Sequence, residues 1–151
     1  MNKQVFISIR SVTAIFWLGF FMAISFMEAP LKFTAPGLSM AEGLRIGKII
    51  FGSLNICEWS FLVIILITCI VKKTTRRGLY LITAVSVIMA AETAWLLPAL
   101  DNNANLIIQG FPVASHSTHW FYVAFEIIKV PILLMIGLES GKALREKKII
   151  K

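Results

Sequence analysis

The chain has 151 residues, of which 58% are hydrophobic and 15% charged, whereas a soluble domain carries about 25% charged and 45–50% apolar residues. That balance excludes a soluble globular domain, and the length suits one small membrane domain. The net charge of +7 would suit a nucleic-acid binder, but the positive residues collect at the ends of apolar runs and form no basic face with interleaved aromatics, so nucleic acid is excluded as a partner.

The first predicted span covers residues 11–33, after a short arm holding Lys3 and Arg10. Glu28, Pro30 and Lys32 crowd its far end, where Pro30 disfavours a regular helix. The run ends in Glu-Ala-Pro-Leu-Lys rather than a small-residue cleavage site, so it reads as a retained helix. Pro36-Gly37 marks a turn. Ser39 and Glu42 then fit a capping box that starts the second helix near Met40. The second span, residues 46–71, contains the apolar run Ile49–Val71, with Glu58 as its only charge, and stops against Lys72, Lys73, Arg76 and Arg77. Its length matches the roughly 20 residues that cross a bilayer core. Cys57 and Cys69 lie twelve residues apart on this helix, about 18 Å along its axis, too far to form a disulfide.

The third span, residues 78–100, is expected to stop at Pro98 and Asp101, with Asp101 capping a short surface helix that Gly110 and Pro112 end. The fourth span covers residues 119–138 and carries Glu126, Lys129 and Pro131; a basic tail, 139–151, follows. Eleven of the fifteen Lys and Arg fall on the N-terminal arm, the Lys72–Arg77 loop and the tail. The expected fold is therefore all-α, an up-down four-helix transmembrane bundle with both termini cytoplasmic.

Four carboxylates accompany the four spans: Glu28, Glu58, Glu92 and Glu126, with Lys32, Lys48 and Lys129 in or beside them. A charge near the bilayer centre costs roughly 2.5–3.5 kcal/mol on insertion scales, so these groups must face the bundle interior and one another. Glu28–Lys32 and Glu126–Lys129 are spaced as helical pairs, and His119 lies seven residues before Glu126. Lys48, Gly52, Asn55 and Trp59 form a stripe on the second helix, with Glu58 at its edge. His116 and His119 are expected at the membrane interface with Trp120 and Tyr122. Glu92 has no Lys or Arg within one turn, so its counter-charge must come from another helix. Four Glu against three Lys leave one carboxylate over, and desolvation favours the neutral form of an acid. Glu92 is therefore the candidate to carry a functional proton.

These residues, Glu28, Glu58, Glu92, His119, Glu126 and Lys129, are the candidate binding or proton-handling set. They support two readings: an outward polar pocket, or buried ion pairs that only hold the helices. A di-iron centre would need two Glu-x-x-His motifs, and none is present; His116 and His119 share one helix entrance and do not suit opposite faces of a haem. No metal, cofactor or catalytic residue is expected.

The string Gly19–Phe33, with Ala29-Pro30-Leu31-Lys32-Phe33 at its end, and Gly47-Lys-Ile-Ile-Phe51 resemble four-helix bacterial integral membrane proteins of the domain-of-unknown-function type, which share Ala-Pro-x-x-Phe after helix one. Glu92 to Asp101, His119 and Glu126-x-x-Lys129 are similar to the second half of such proteins. The resemblance implies a multi-pass protein of the bacterial cytoplasmic membrane and transfers no catalytic residue. The leading expectation is a protein that binds or passes a small solute or a proton through an outward pocket. The alternatives are a structural or accessory subunit, partnered by a second copy or another membrane protein, and a lipid- or quinone-acting enzyme.

Overall fold

The computed structural model describes residues 3–112 and 117–149, with side chains at 4–112 and 117–141. The described residues are helical and contain no strand. Four long helices account for them. The first, α1, begins as a regular helix, Lys3–Met22, and continues through a π-helical stretch, Ala23–Glu28, a turn, Ala29–Leu31, and a 3₁₀ turn, Lys32–Thr34. The second, α2, is Met40–Val71. The third, α3, comprises Arg76–Ala91, a π-helical stretch Glu92–Leu96, and Leu97–Ile108. The fourth, α4, is Ser117–Ile149. The expected arm before residue 11 is thus the first turns of α1; residues 113–116, including His116, lie outside the described residues.

Local chemistry sets the boundaries. At the α1–α2 turn, Gly37 takes φ +81° directly after Pro36, and Leu38 N–H donates to the Ala35 carbonyl at 3.2 Å; the positive φ is one a side chain would resist. The Ser39 hydroxyl accepts from Glu42 N–H while Glu42 accepts from Ser39 N–H, closing the expected capping box. Helix α3 ends on Gly110, also at φ +81°, with Phe111 N–H on the Leu106 carbonyl and Gly110 N–H on that of Ile107, a Schellman motif.

One expectation fails at Pro98. The third helix does not stop there, and Asp101 caps no separate surface helix; α3 runs on to Ile108. Pro98 and Pro30 are each preceded by a π turn. Ala29 N–H, next to Pro30, reaches back five residues to the Ile24 carbonyl, and Leu97 N–H, next to Pro98, reaches the Glu92 carbonyl. The wider turn accommodates the proline ring and the missing donor without ending the helix.

The four helices pack as an up-down bundle in which α1 lies against α2 and α4, and α3 against α4 and α2. One end of the bundle, the basic end, joins the start of α1, the end of α2, the start of α3 and the later part of α4. There Arg77 bridges Glu139 at 3.0 Å, and the Ser11 hydroxyl donates to the Gly137 carbonyl at 2.7 Å. A Cβ at Gly137 would meet Ile15 Cδ1 at 2.6 Å, so the glycine admits this close approach of α1 and α4.

Buried positions recur at alternating steps of three and four: Ile7, Arg10, Ala14, Trp17 and Phe21 on α1; Ile82, Val85, Met89, Glu92 and Leu96 on α3; Tyr122, Glu126, Lys129, Leu133 and Ile136 on α4. This 3.5-residue mean spacing is the seam of a left-handed helical bundle. The opposite faces are apolar and open, with Ile70 84%, Ile49 72% and Ile56 70% exposed. Water would penalise such a surface, whereas lipid would not. All four helices are long and apolar enough to cross a membrane.

Candidate functional site

Four ionisable side chains occupy seam positions near the middle of the bundle. Lys129 is fully buried, and its ammonium donates to Glu58 Oε1 at 2.8 Å, Glu92 Oε2 at 2.9 Å and Glu126 Oε1 at 3.2 Å. The three acids come from α2, α3 and α4 and are at most 2% exposed. Helix α1 contributes no charge here. It supplies the Trp17 indole N–H, which donates to Glu58 Oε1 at 2.9 Å, and the Phe21 ring, whose centroid lies 5.2 Å from the ammonium.

The three carboxylates offer oxygens within 4.8 Å of one another, a spacing that could hold a metal ion. Lys129 places its own cation among them, which is where such an ion would have to sit. The balance is unequal, because three carboxylates share one ammonium. Glu92 Oε1 and Glu126 Oε2 are buried without a hydrogen-bond partner, and such a group is costly unless a proton or another donor reaches it.

A cavity of about 470 Å³ lies between the four helices on the side away from the basic end. Its wall is mainly apolar and aromatic, with Phe26, Phe33, Phe51 and Leu100 among the lining residues. Lys32, Lys48, Asp101 and His119 also line it. Towards the bundle centre it reaches Tyr122 and Glu126. Tyr122 is buried, set edge-on against Phe51 at 5.5 Å, and lies beside the Glu126 carboxylate. Ser25, one turn beyond Phe21, lines the same cavity and leaves its buried hydroxyl without a partner. Glu126 therefore belongs to two structures at once, the cavity wall and the Lys129 cluster.

The candidate residues separate into groups. Glu58, Glu92, Glu126 and Lys129 come together. Glu28 stays outside, half-buried and paired with Lys32 at 3.5 Å. Lys48 also lies apart from the cluster, bonded to Asn105 at 2.8 Å and near Asp101 at 3.9 Å. His119 is exposed beside Trp120, but Tyr122, expected with them at the interface, is turned into the core by the seam. Glu58, at the edge of the Lys48–Gly52–Asn55–Trp59 stripe, is buried on α2 with Leu54, Leu62 and Ile65. Of that stripe, Asn55 and Trp59 meet the Thr93 hydroxyl, which accepts from the Asn55 amide at 3.1 Å and the Trp59 indole at 2.9 Å.

Trp17, Tyr122 and Arg10 were not among the expected site residues. Arg10, 3% exposed, donates to the Thr68 carbonyl at 2.9 Å and the Lys72 carbonyl at 2.6 Å, closing the C-terminus of α2. The signal for all three was their three-and-four spacing with buried apolar neighbours. Comparison of the chain with family models, curated proteins and solved structures finds no match.

Proposed function

We propose that the chain is a small multi-pass protein of the bacterial cytoplasmic membrane, with both termini cytoplasmic. In this reading it binds or passes a small solute at an outward-opening cavity and holds protons in the Glu58–Glu92–Glu126–Lys129 cluster behind it. The observation that carries the reading is the double membership of Glu126, which lines the cavity and accepts from Lys129. The positive-inside distribution of Lys and Arg puts the basic end in the cytoplasm and the cavity outside. Charge balance calls for two bound protons, and Glu92 Oε1 and Glu126 Oε2 are buried cluster oxygens without a partner. Events in the cavity then reach the protons through a single carboxylate.

Infrared spectroscopy of the purified protein tests this. A protonated-carboxyl band at neutral pH should weaken in Glu92→Gln, which removes one of the two protonated groups, and should shift when Ala104→Trp fills the cavity. A cluster with no such band, or one indifferent to Ala104→Trp, contradicts the reading.

A second reading has its own support. Lys129 ties α2, α3 and α4 together, and Trp17 adds α1. A structural or accessory subunit would use the same cluster purely to fix helix register. It would leave the carboxyl band unaffected by the cavity.

A further inference from the structure

Two shortfalls meet at Glu126. Its Oε2 meets no donor in good hydrogen-bond geometry, although the Tyr122 hydroxyl lies beside the carboxylate, and the cluster it belongs to has more negative than positive groups. A neutral alcohol entering the cavity would supply a donor but no charge. An anion would supply neither. A protonated amine supplies both, through a charge-assisted bond of the stronger kind.

The surroundings fit the same class. Aromatic rings face cations favourably, and the wall already shows this: Lys32 Nζ lies 5.3 Å from the Phe51 centroid and 5.5 Å from that of Phe33. The ionisable groups around Glu126 are Lys32 from α1, Lys48 and Glu58 from α2, Glu92 and Asp101 from α3, and Tyr122, His119 and Lys129 from α4. Lys32 and Lys48 would repel a cation, but Glu28 and Asp101 accompany them. The carboxylate excess at the inner end has no such cation beyond Lys129, and only bound protons balance it.

Resting on the reading that the cavity is a ligand site, we propose that its ligand class is an apolar amine, bound as the ammonium ion on Glu126 in exchange for a proton. The amine enters as R–NH₃⁺, one proton leaves the cluster for solvent, and the total charge of the site is unchanged. Ser25 and Tyr122, on the same cavity wall, offer hydroxyl acceptors for the remaining ammonium protons.

Three probes of one skeleton separate the possibilities: phenylbutylamine, phenylbutanol and phenylbutyrate. Calorimetry on the purified full-length protein, in two buffers of different ionisation enthalpy, reads affinity and protons released together. The amine should bind at least about tenfold tighter than the alcohol, with the acid weakest, and should release roughly one proton per molecule bound. Equal affinity for amine and alcohol, or amine binding without proton release, overturns the inference while leaving the cavity as a ligand site. Failure of all three to bind overturns the cavity reading as well. Glu126→Gln should lose the preference for the amine and keep its affinity for the alcohol; should that variant fail to fold, the three-probe series on the unmodified protein decides.

Discussion

Lys129 Nζ donates to Glu92 Oε2 at 2.9 Å, joining α4 to α3 across 37 positions of sequence. Glu92 has no Lys or Arg within a turn of it on its own helix, so this contact gives it the counter-charge that burial demands. The same ammonium holds Glu58 and Glu126, and its removal would leave three buried carboxylates facing one another where screening is weak.

Lys129→Met should therefore lower stability by about 3–5 kcal/mol, read from denaturant unfolding in detergent. Glu126→Gln should cost only about 1 kcal/mol, because Lys129 keeps two of its acceptors and the excess negative charge falls. The sequence leads one to expect Glu126 and Lys129 in one charge-balanced network, with Lys129→Met recovering part of the loss caused by Glu126→Gln; because Lys129 also holds Glu58 and Glu92, that recovery is no longer expected. The double variant should remain less stable than Glu126→Gln alone, because Glu58 and Glu92 still lose their counter-charge. Recovery in the double variant would restore the two-residue pair.

Arg10→Ala should destabilise the basic end of the bundle. Its guanidinium reaches two carbonyls at the end of α2 and the Thr68 hydroxyl at 3.1 Å, and charged hydrogen bonds contribute about 1.5–3 kcal/mol. Hydrogen exchange should speed up in the last turn of α2 and not near Met40. Lysine lacks the planar fork, so Arg10→Lys should recover only part of the loss. Unchanged exchange in Arg10→Ala would remove the capping role.

Much of this arrangement was legible in the sequence. Four apolar runs, the Pro36-Gly37 turn, the Ser39–Glu42 box and the need of Glu92 for a partner on another helix all follow from local chemistry. The inward set was harder. Glu28 and Glu58 look alike as single acids in apolar helices, and only the seam separates them. By count the 3.5-residue rhythm of Trp17 and Phe21 on α1 would reach Glu28, but the π-helical stretch Ala23–Glu28 shifts the register and buries none of its residues, so α1 brings an indole where the other helices bring carboxylates. Pro98 reads as a stop because proline forbids the ordinary backbone bond. The π turn at Glu92–Leu96, which carries the helix past that proline, has no comparably local signature. The cavity depends on the separation of four helices, which no single segment encodes.

The proposed orientation has a direct test. With Cys57 and Cys69 replaced by serine, Asn102→Cys should react with a membrane-impermeant thiol reagent applied outside intact cells. Lys73→Cys should react only after the membrane is opened. Both native positions are exposed, so burial would not mask either result, and the reverse pattern would invert the topology.

The central claim is that an outward cavity reaches the level of Glu126. Val123 lines that cavity less than one turn from Glu126, whereas Leu133 lies fully buried on the far side of Lys129. In the same cysteine-free background, a small impermeant thiol reagent applied outside should label Val123→Cys and leave Leu133→Cys untouched. Phenylbutylamine should slow the labelling. Absence of labelling at Val123→Cys from either side, or labelling only from the cytoplasm, would contradict the account.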